Sequence, residues 1–141
     1  MSLLPAVTFA AVAVALHLAH PVADYIVQTP HQSADKDRPG WPGRLACATH
    51  VATYTATGAV ALTLLWLATG LPLTPDSVGA ALTVNAITHY IVDRRTPLRR
   101  IARWLRKDPD WIEHGGGLAH LDQAWHKGWI ALAALTAAVL A

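Results

Sequence analysis

Four long apolar segments restrict the folds that this chain can adopt. They cover residues 3–27, 45–73, 77–93 and 118–141, and each is about long enough to cross roughly 30 Å of hydrocarbon as a helix. Only 14% of the residues are charged, against about a quarter in soluble domains. The many Ala, Thr and Gly residues would let neighbouring helices approach closely. We therefore predict an all-α polytopic membrane protein with four transmembrane helices; a soluble helical bundle is the alternative.

The sequence indicates one domain, residues 1–141, that keeps its first helix. A cleaved signal peptide begins with a basic region, and the opening MSLLPAVTF contains neither Lys nor Arg. The single Cys47 excludes an intramolecular disulfide framework and a cysteine-rich zinc module. We therefore expect the fold to depend on helix packing alone.

Basic residues are concentrated in two of the three predicted loops. The first loop contributes Lys36, Arg38 and Arg44, and the third contributes Arg94, Arg95, Arg99, Arg100, Arg103, Arg106 and Lys107. Cytoplasmic loops carry an excess of Lys and Arg, so this pattern predicts a multi-pass membrane protein with the basic loops in the cytoplasm and both termini outside. Lys127 is the exception, and near a helix end it could extend to the interface.

The third loop also contains an amphipathic pattern over residues 97–107. Apolar residues recur there at helical spacing, namely Leu98, Ile101, Ala102 and Leu105. The other faces carry the residues predicted to meet the membrane surface, Arg99, Arg100, Arg103, Trp104, Arg106 and Lys107. We predict a short interfacial helix whose partners are the bilayer and its anionic lipid headgroups. A nucleic acid would attract the same charges but is not expected.

Polar residues recur inside all four apolar segments, toward their predicted cytoplasmic ends. In chain order they are His17, His20 and Asp24; His50; Asn85, His89 and Asp93; and Asp122, Gln123 and His126. Three His/Asp pairs are separated by four residues, which places both side chains on one helix face. Ionisable groups at membrane depth are costly and usually functional. The pattern predicts one polar pocket shared by the four helices.

These residue types at this spacing favour a divalent metal site. The predicted ligands are His20, Asp24, His50, His89, Asp93 and His126. The predicted supporting residues are His17, Gln28, Asn85 and Gln123. The ligand number suits a catalytic zinc or a two-metal centre, with manganese or iron as alternatives to zinc. Each His/Asp pair could instead be a simple intrahelical hydrogen bond, and His50 a packing residue.

Four short motifs resemble those of a known protein family. They are HPVADYIVQT (20–29), HVATY (50–54), HYIVD (89–93) and DQAWH (122–126). In this order they resemble a family of small bacterial and phage integral membrane proteins that share a domain of unknown function. The resemblance covers nearly the whole chain and implies roles for the motif residues, but His17 falls outside the pattern. More distantly, the family is similar to membrane-bound metal-dependent hydrolases.

The sequence thus favours a membrane-embedded metal-dependent hydrolase that acts on an amphiphilic substrate. A metal lowers the pKa of water to about 7, and Asp122 is the predicted general base. A metal-ion or proton transporter is one alternative, although the outer halves of the segments have almost no ionisable groups. A second alternative is an adaptor whose polar residues only specify helix packing. A homodimer is also plausible for so thin a bundle.

Overall fold

The computed structural model describes residues 3–141, and within that range the chain is helical without strands. A π-helical segment, Ala23–Val27, continues the first helix. The α-helices are α1 (Leu4–Val22), α2 (Pro30–Asp35), α3 (Gly40–Thr69), α4 (Pro75–Asp93), α5 (Thr96–Trp104), α6 (Pro109–Glu113) and α7 (Gly117–Leu140). The predicted all-α class is confirmed, and each of the four predicted segments corresponds to one long helix.

The four long helices form a bundle in which each packs against two neighbours. The packed pairs are α1 with α3, α3 with α4, α4 with α7, and α7 with α1. One end of the bundle has an apolar core built largely from alanine and leucine, namely Val12, Leu16, Leu62, Ala81, Ile130, Ala133, Ala134 and Ala137. These small side chains let the helices approach closely, as in membrane bundles. The buried histidines and Asp93 lie toward the opposite end.

Local sequence signals set where the helices begin and end. Capping boxes formed by Thr29 with Gln32 and by Thr74 with Ser77 start α2 and α4. Gly70 ends α3 in the left-handed conformation with φ of 65°, which glycine adopts without strain. The four long helices alternate in direction, so α1 and α4 end, and α3 and α7 begin, at the same end of the bundle.

Large apolar side chains cover much of the outer surface of the bundle. Leu18, Val60, Leu67, Ile87 and Val139 are all more than half exposed, and they come from all four long helices. Exposed apolar surface on this scale marks contact with lipid or another protein. Among the described residues, two segments are long and apolar enough to span a membrane, Leu4–Val27 and Gly40–Thr69. Four transmembrane spans therefore remain a prediction.

The predicted amphipathic helix over residues 97–107 is shorter than expected. It forms α5 and stops at Trp104, since Leu105 leaves helical geometry and Arg106 adopts a positive φ of 53°. Leu98 and Ala102 are buried within the protein, whereas Leu105 is 46% exposed, so contact of this apolar face with the membrane surface stays a prediction. Trp104 is 81% exposed and available to a membrane interface. The short α6 was not predicted.

Candidate metal centre

The π-helical segment carries Asp24 and positions Gln28. The Gln28 N–H donates to the Ala23 carbonyl over 2.9 Å, a hydrogen bond that spans five residues. A π turn contains more residues than an α turn, so Gln28 returns to the face that carries His20 and Asp24. Pro21 lies just before this segment and removes one backbone donor from the helix. Such single-turn π segments occur frequently at functional sites.

Two histidines and two aspartates from three helical segments meet at one point. His50 Nε2 and His89 Nε2 are 2.9 Å apart. Asp93 Oδ2 lies 3.3 Å from His50 Nε2 and 3.2 Å from His89 Nε2. Asp24 Oδ1 lies 3.4 Å and 3.7 Å from the same two nitrogens. We call these four side chains the primary cluster.

These separations match those of donor atoms around a single cation. Zinc binds imidazole nitrogen and carboxylate oxygen at about 2.0–2.2 Å, so neighbouring donors of one ion lie about 2.9 to 3.4 Å apart. Four of the five separations lie in that range, and the fifth, between His89 and Asp24, is 3.7 Å. Imidazole and carboxylate donors suit zinc, manganese and iron. The primary cluster could therefore hold a divalent metal ion.

Burial makes the primary cluster costly unless a cation balances it. The His50 and His89 side chains are fully buried, and that of Asp93 is 3% exposed. Among residues 3–141, Asp24 Oδ1 is a buried oxygen that finds no hydrogen-bond partner. An unpaired buried polar atom costs about 1–3 kcal/mol, and more if it is charged. A bound cation would satisfy this oxygen and the converging lone pairs together.

Lys36 is a site residue that the sequence reasoning missed. Its Nζ lies 3.0 Å from Asp93 Oδ2, and its side chain is only 12% exposed. With the amide of Gln28 oriented to satisfy its neighbours, the Gln28 oxygen accepts from Lys36 Nζ over 3.1 Å. The Arg94 guanidinium donates to the backbone carbonyls of Lys36 and Arg38, each over 2.6 Å. Arg94 thus holds the first basic loop, which carries Lys36 and Arg38, next to the primary cluster.

Three further predicted residues border the primary cluster. His20 Nδ1 lies 3.5 Å from Asp24 Oδ2, and the His20 ring is 4.7 Å from that of His126. His126 Nε2 lies 3.6 Å from Asp122 Oδ2 and 4.0 Å from Asp93 Oδ1. His20 with His89 and His126, and Asp93 with Asp122 and His126, are further groups whose geometry could hold a metal ion. The structure therefore brings together all six predicted ligands and Asp122.

A second layer of side chains positions His89. The Tyr54 ring packs against that of His89 with centroids 3.8 Å apart, and Asn85 Nδ2 donates to the Tyr54 hydroxyl over 3.3 Å. Trp125 Nε1 donates to the Thr88 carbonyl over 3.1 Å and ties α7 to α4. Asn85, a predicted supporting residue, therefore holds Tyr54, and Tyr54 contacts His89. This orientation of His89 is by ring packing, since His89 Nδ1 finds no hydrogen-bond partner in the described part of the chain.

Of the four predicted supporting residues, His17 is misplaced. The inward face of α1 carries Val12, Leu16, Ala19 and His20, and His17 is exposed on the neighbouring face. His17 precedes His20 by three residues, and this spacing does not place it on the inward face. The predicted supporting role of His17 is therefore wrong. Gln28 lies at the primary cluster, and Gln123 Nε2 donates to Asp122 Oδ2 over 3.3 Å. His31, on α2, and His114, after α6, are exposed and lie outside the site.

A cleft of about 360 Å³ connects this region to the protein surface. Its inner wall includes Asp93 and Asp122, and its outer wall includes Arg95, Arg99 and Glu113. Arg99 is paired with Glu113 over 3.2 Å and lowers the pKa of that carboxyl below its ordinary value. The cleft therefore joins an acidic interior to a mouth lined by basic side chains.

Comparison of the chain with protein-family models, with curated proteins and with solved structures gives no match. The resemblance to small bacterial and phage membrane proteins therefore stays a prediction.

The contact between Lys36 and Asp93 generates a prediction about metal affinity. We expect Lys36→Met to raise the affinity for zinc by up to about tenfold, because it removes a cation that competes for Asp93 Oδ2. Competition with a chromophoric chelator on detergent-purified protein measures the affinity. Lys127→Met, at an exposed position on α7, is the matched control. Equal affinities for Lys36→Met and wild type would show that the ammonium and the ion do not share this oxygen.

Proposed function

We propose that the chain is a membrane protein that binds a divalent metal ion in the primary cluster and hydrolyses an amphiphilic substrate. The observation that carries the proposal is the convergence of two imidazole nitrogens and two carboxylate oxygens with separations of 2.9–3.7 Å. Zinc, manganese and iron all suit this donor set. The buried, unpaired Asp24 oxygen further supports a bound cation.

The cleft supports hydrolysis and indicates the character of the substrate. A bound metal of this kind supplies a nucleophilic hydroxide at neutral pH and polarises the bond that is broken. Asp122 lies outside the primary cluster and lines the cleft, where it can accept a proton as the predicted general base. Lys36, Arg95 and Arg99 line the same cleft and are paired with Asp93, Asp37 and Glu113. A substrate with an anionic headgroup could exchange for the carboxylate on the partly exposed arginines.

The exposed apolar surface supports an integral membrane location with four spans. In that arrangement the primary cluster lies near the cytoplasmic face, since the basic loops and α5 flank it. The other end of the bundle has a core of alanine, leucine, valine and isoleucine. This core gives a conducting ion no polar path, so a one-sided catalytic pocket is favoured over a transport pathway.

Metal content tests the first part of the proposal. We expect detergent-purified protein to retain at least about one divalent ion per chain, measured by inductively coupled plasma mass spectrometry. His50→Gln and Asp93→Asn should lose most of this metal, because each removes a donor of the primary cluster. His31→Gln is the control, since that side chain is 77% exposed. Metal-free wild type after reconstitution with zinc, manganese and iron would contradict the proposal and favour the adaptor alternative.

Turnover of amphiphilic substrates tests the second part. A long-chain alkyl p-nitrophenyl phosphodiester and a long-chain p-nitrophenyl ester in detergent micelles are suitable probes. We expect metal-loaded wild type to cleave at least one of them, and Asp122→Asn to lower kcat about a hundredfold or more. Asp110→Asn is the control, because Asp110 is exposed and remote from the cleft. Stoichiometric metal without turnover of either probe would indicate a binding protein.

Labelling of single cysteines tests the orientation. In a Cys47→Ala background, an impermeant maleimide added to spheroplasts should label Asp76→Cys, at an exposed position in the first turn of α4, without permeabilisation. Arg103→Cys, on α5, should react only after permeabilisation, since the basic loops are expected in the cytoplasm. The reverse pattern would contradict the orientation, and labelling of both sites from one side would contradict the number of spans.

A further inference from the structure

We propose that the centre holds two divalent ions that share the Asp93 carboxylate, an inference that rests on the metal binding proposed above. The first ion would occupy the primary cluster. The second would be bound by Asp93, Asp122 and His126, a group whose donor atoms all lie within 4.8 Å of one another. We call the latter the cleft position, because Asp93 and Asp122 line the cleft. Asp122 would then act as a metal ligand in place of the general-base role.

His126 is the independent sign that the cleft position binds a ligand. Its side chain is 2% exposed, and its Nε2 finds no hydrogen-bond partner in the described part of the chain. This nitrogen lies 3.6 Å from Asp122 Oδ2 and 4.0 Å from Asp93 Oδ1. The distances are too long for good hydrogen bonds. They also exceed the separation of about 2.9–3.4 Å between donors of one ion, so these side chains would move closer together when an ion binds. A packing histidine would be expected to have a partner at this depth.

The two oxygens of Asp93 face the two positions separately. Oδ2 is directed at the primary cluster, 3.2 Å from His89 Nε2 and 3.3 Å from His50 Nε2. Oδ1 is the atom nearer to His126 Nε2. A carboxylate whose two oxygens each bind one ion is well suited to two-metal centres, in which the ions lie about 3.5–4 Å apart.

The two positions differ in how far they are enclosed. Each is marked by three donors within 4.8 Å of one another, Asp24, His50 and His89 for the first ion and Asp93, Asp122 and His126 for the second. The side chains around the first ion are at most 10% exposed, whereas Asp122 is 27% exposed and lines the cleft. Closed sites are typically structural, and catalytic sites keep an open position. The ion in the cleft position would therefore be the one that meets the substrate.

The net charge of the two-ion centre indicates the class of substrate. Asp24, Asp93 and Asp122 with Lys36 leave two negative charges, which one divalent ion balances. A second ion then leaves two positive charges that an anionic group can neutralise. Arg95 and Arg99 line the same cleft, where they are paired with Asp37 and Glu113 and add no net charge. Two-metal centres stabilise both the attacking and the leaving oxygen of a displacement at phosphorus. We therefore infer a phosphoester with an apolar tail as the substrate.

The number of bound ions tests the cleft position. Detergent-purified protein is equilibrated with Mn²⁺, and the metal-to-protein ratio is measured with the electron paramagnetic resonance spectrum. We expect about two ions per chain for wild type, with the magnetic coupling of ions a few Å apart. Asp122→Asn and His126→Gln should each retain about one ion with the spectrum of isolated Mn²⁺. Asp110→Asn, at an exposed carboxylate, should behave as wild type.

The possible results separate this inference from the proposed function. One ion in wild type, unchanged in Asp122→Asn, would overturn the cleft position while leaving the primary cluster intact. Two uncoupled ions, or two ions retained in both Asp122→Asn and His126→Gln, would also overturn it. No bound ion in wild type would overturn both proposals. Because the Asp122 side chain is 27% exposed, the Asp122→Asn variant is expected to fold.

Discussion

The approach of two buried imidazole nitrogens, His50 Nε2 and His89 Nε2, to 2.9 Å determines much of the arrangement around them. Each nitrogen also lies within 3.7 Å of two carboxylate oxygens, so several lone pairs converge in a region sheltered from water. Such a group is stable only with a proton or a cation at its centre. Lys36 supplies one such cation, and Arg94 holds the first basic loop in the position that brings Lys36 to Asp93.

The two ends of the bundle differ in composition, since one has an apolar core and the other carries the candidate metal donors. Toward one end, alanine and leucine side chains allow close helix contacts, and apolar residues cover the outside. Toward the other end, α3 and α7 begin and α1 and α4 end, so each long helix contributes donors within about three turns of a terminus. This division gives a rigid support for a site that opens on one side only, through the cleft beside Asp93 and Asp122.

Much of the site could be predicted from spacing because helical periodicity determines which side chains share a face. The four-residue separations placed Asp24, Asp93 and His126 near their partners correctly. Lys36 could not be predicted, since its position depends on how Arg94 holds a loop from a distant part of the chain. The π turn that returns Gln28 to the site has no clear sequence signal. His17 was misassigned because a three-residue step can leave the inward face.

X-ray absorption at the metal edge of the zinc-loaded protein tests the central claim most directly. The account predicts nitrogen and oxygen ligands at about 2.0–2.2 Å, with the outer-shell scattering of imidazole rings. This imidazole scattering should weaken in His50→Gln relative to His31→Gln. A spectrum without imidazole scattering, or one dominated by sulfur at about 2.3 Å, would contradict the account, because it would place the metal outside the primary cluster.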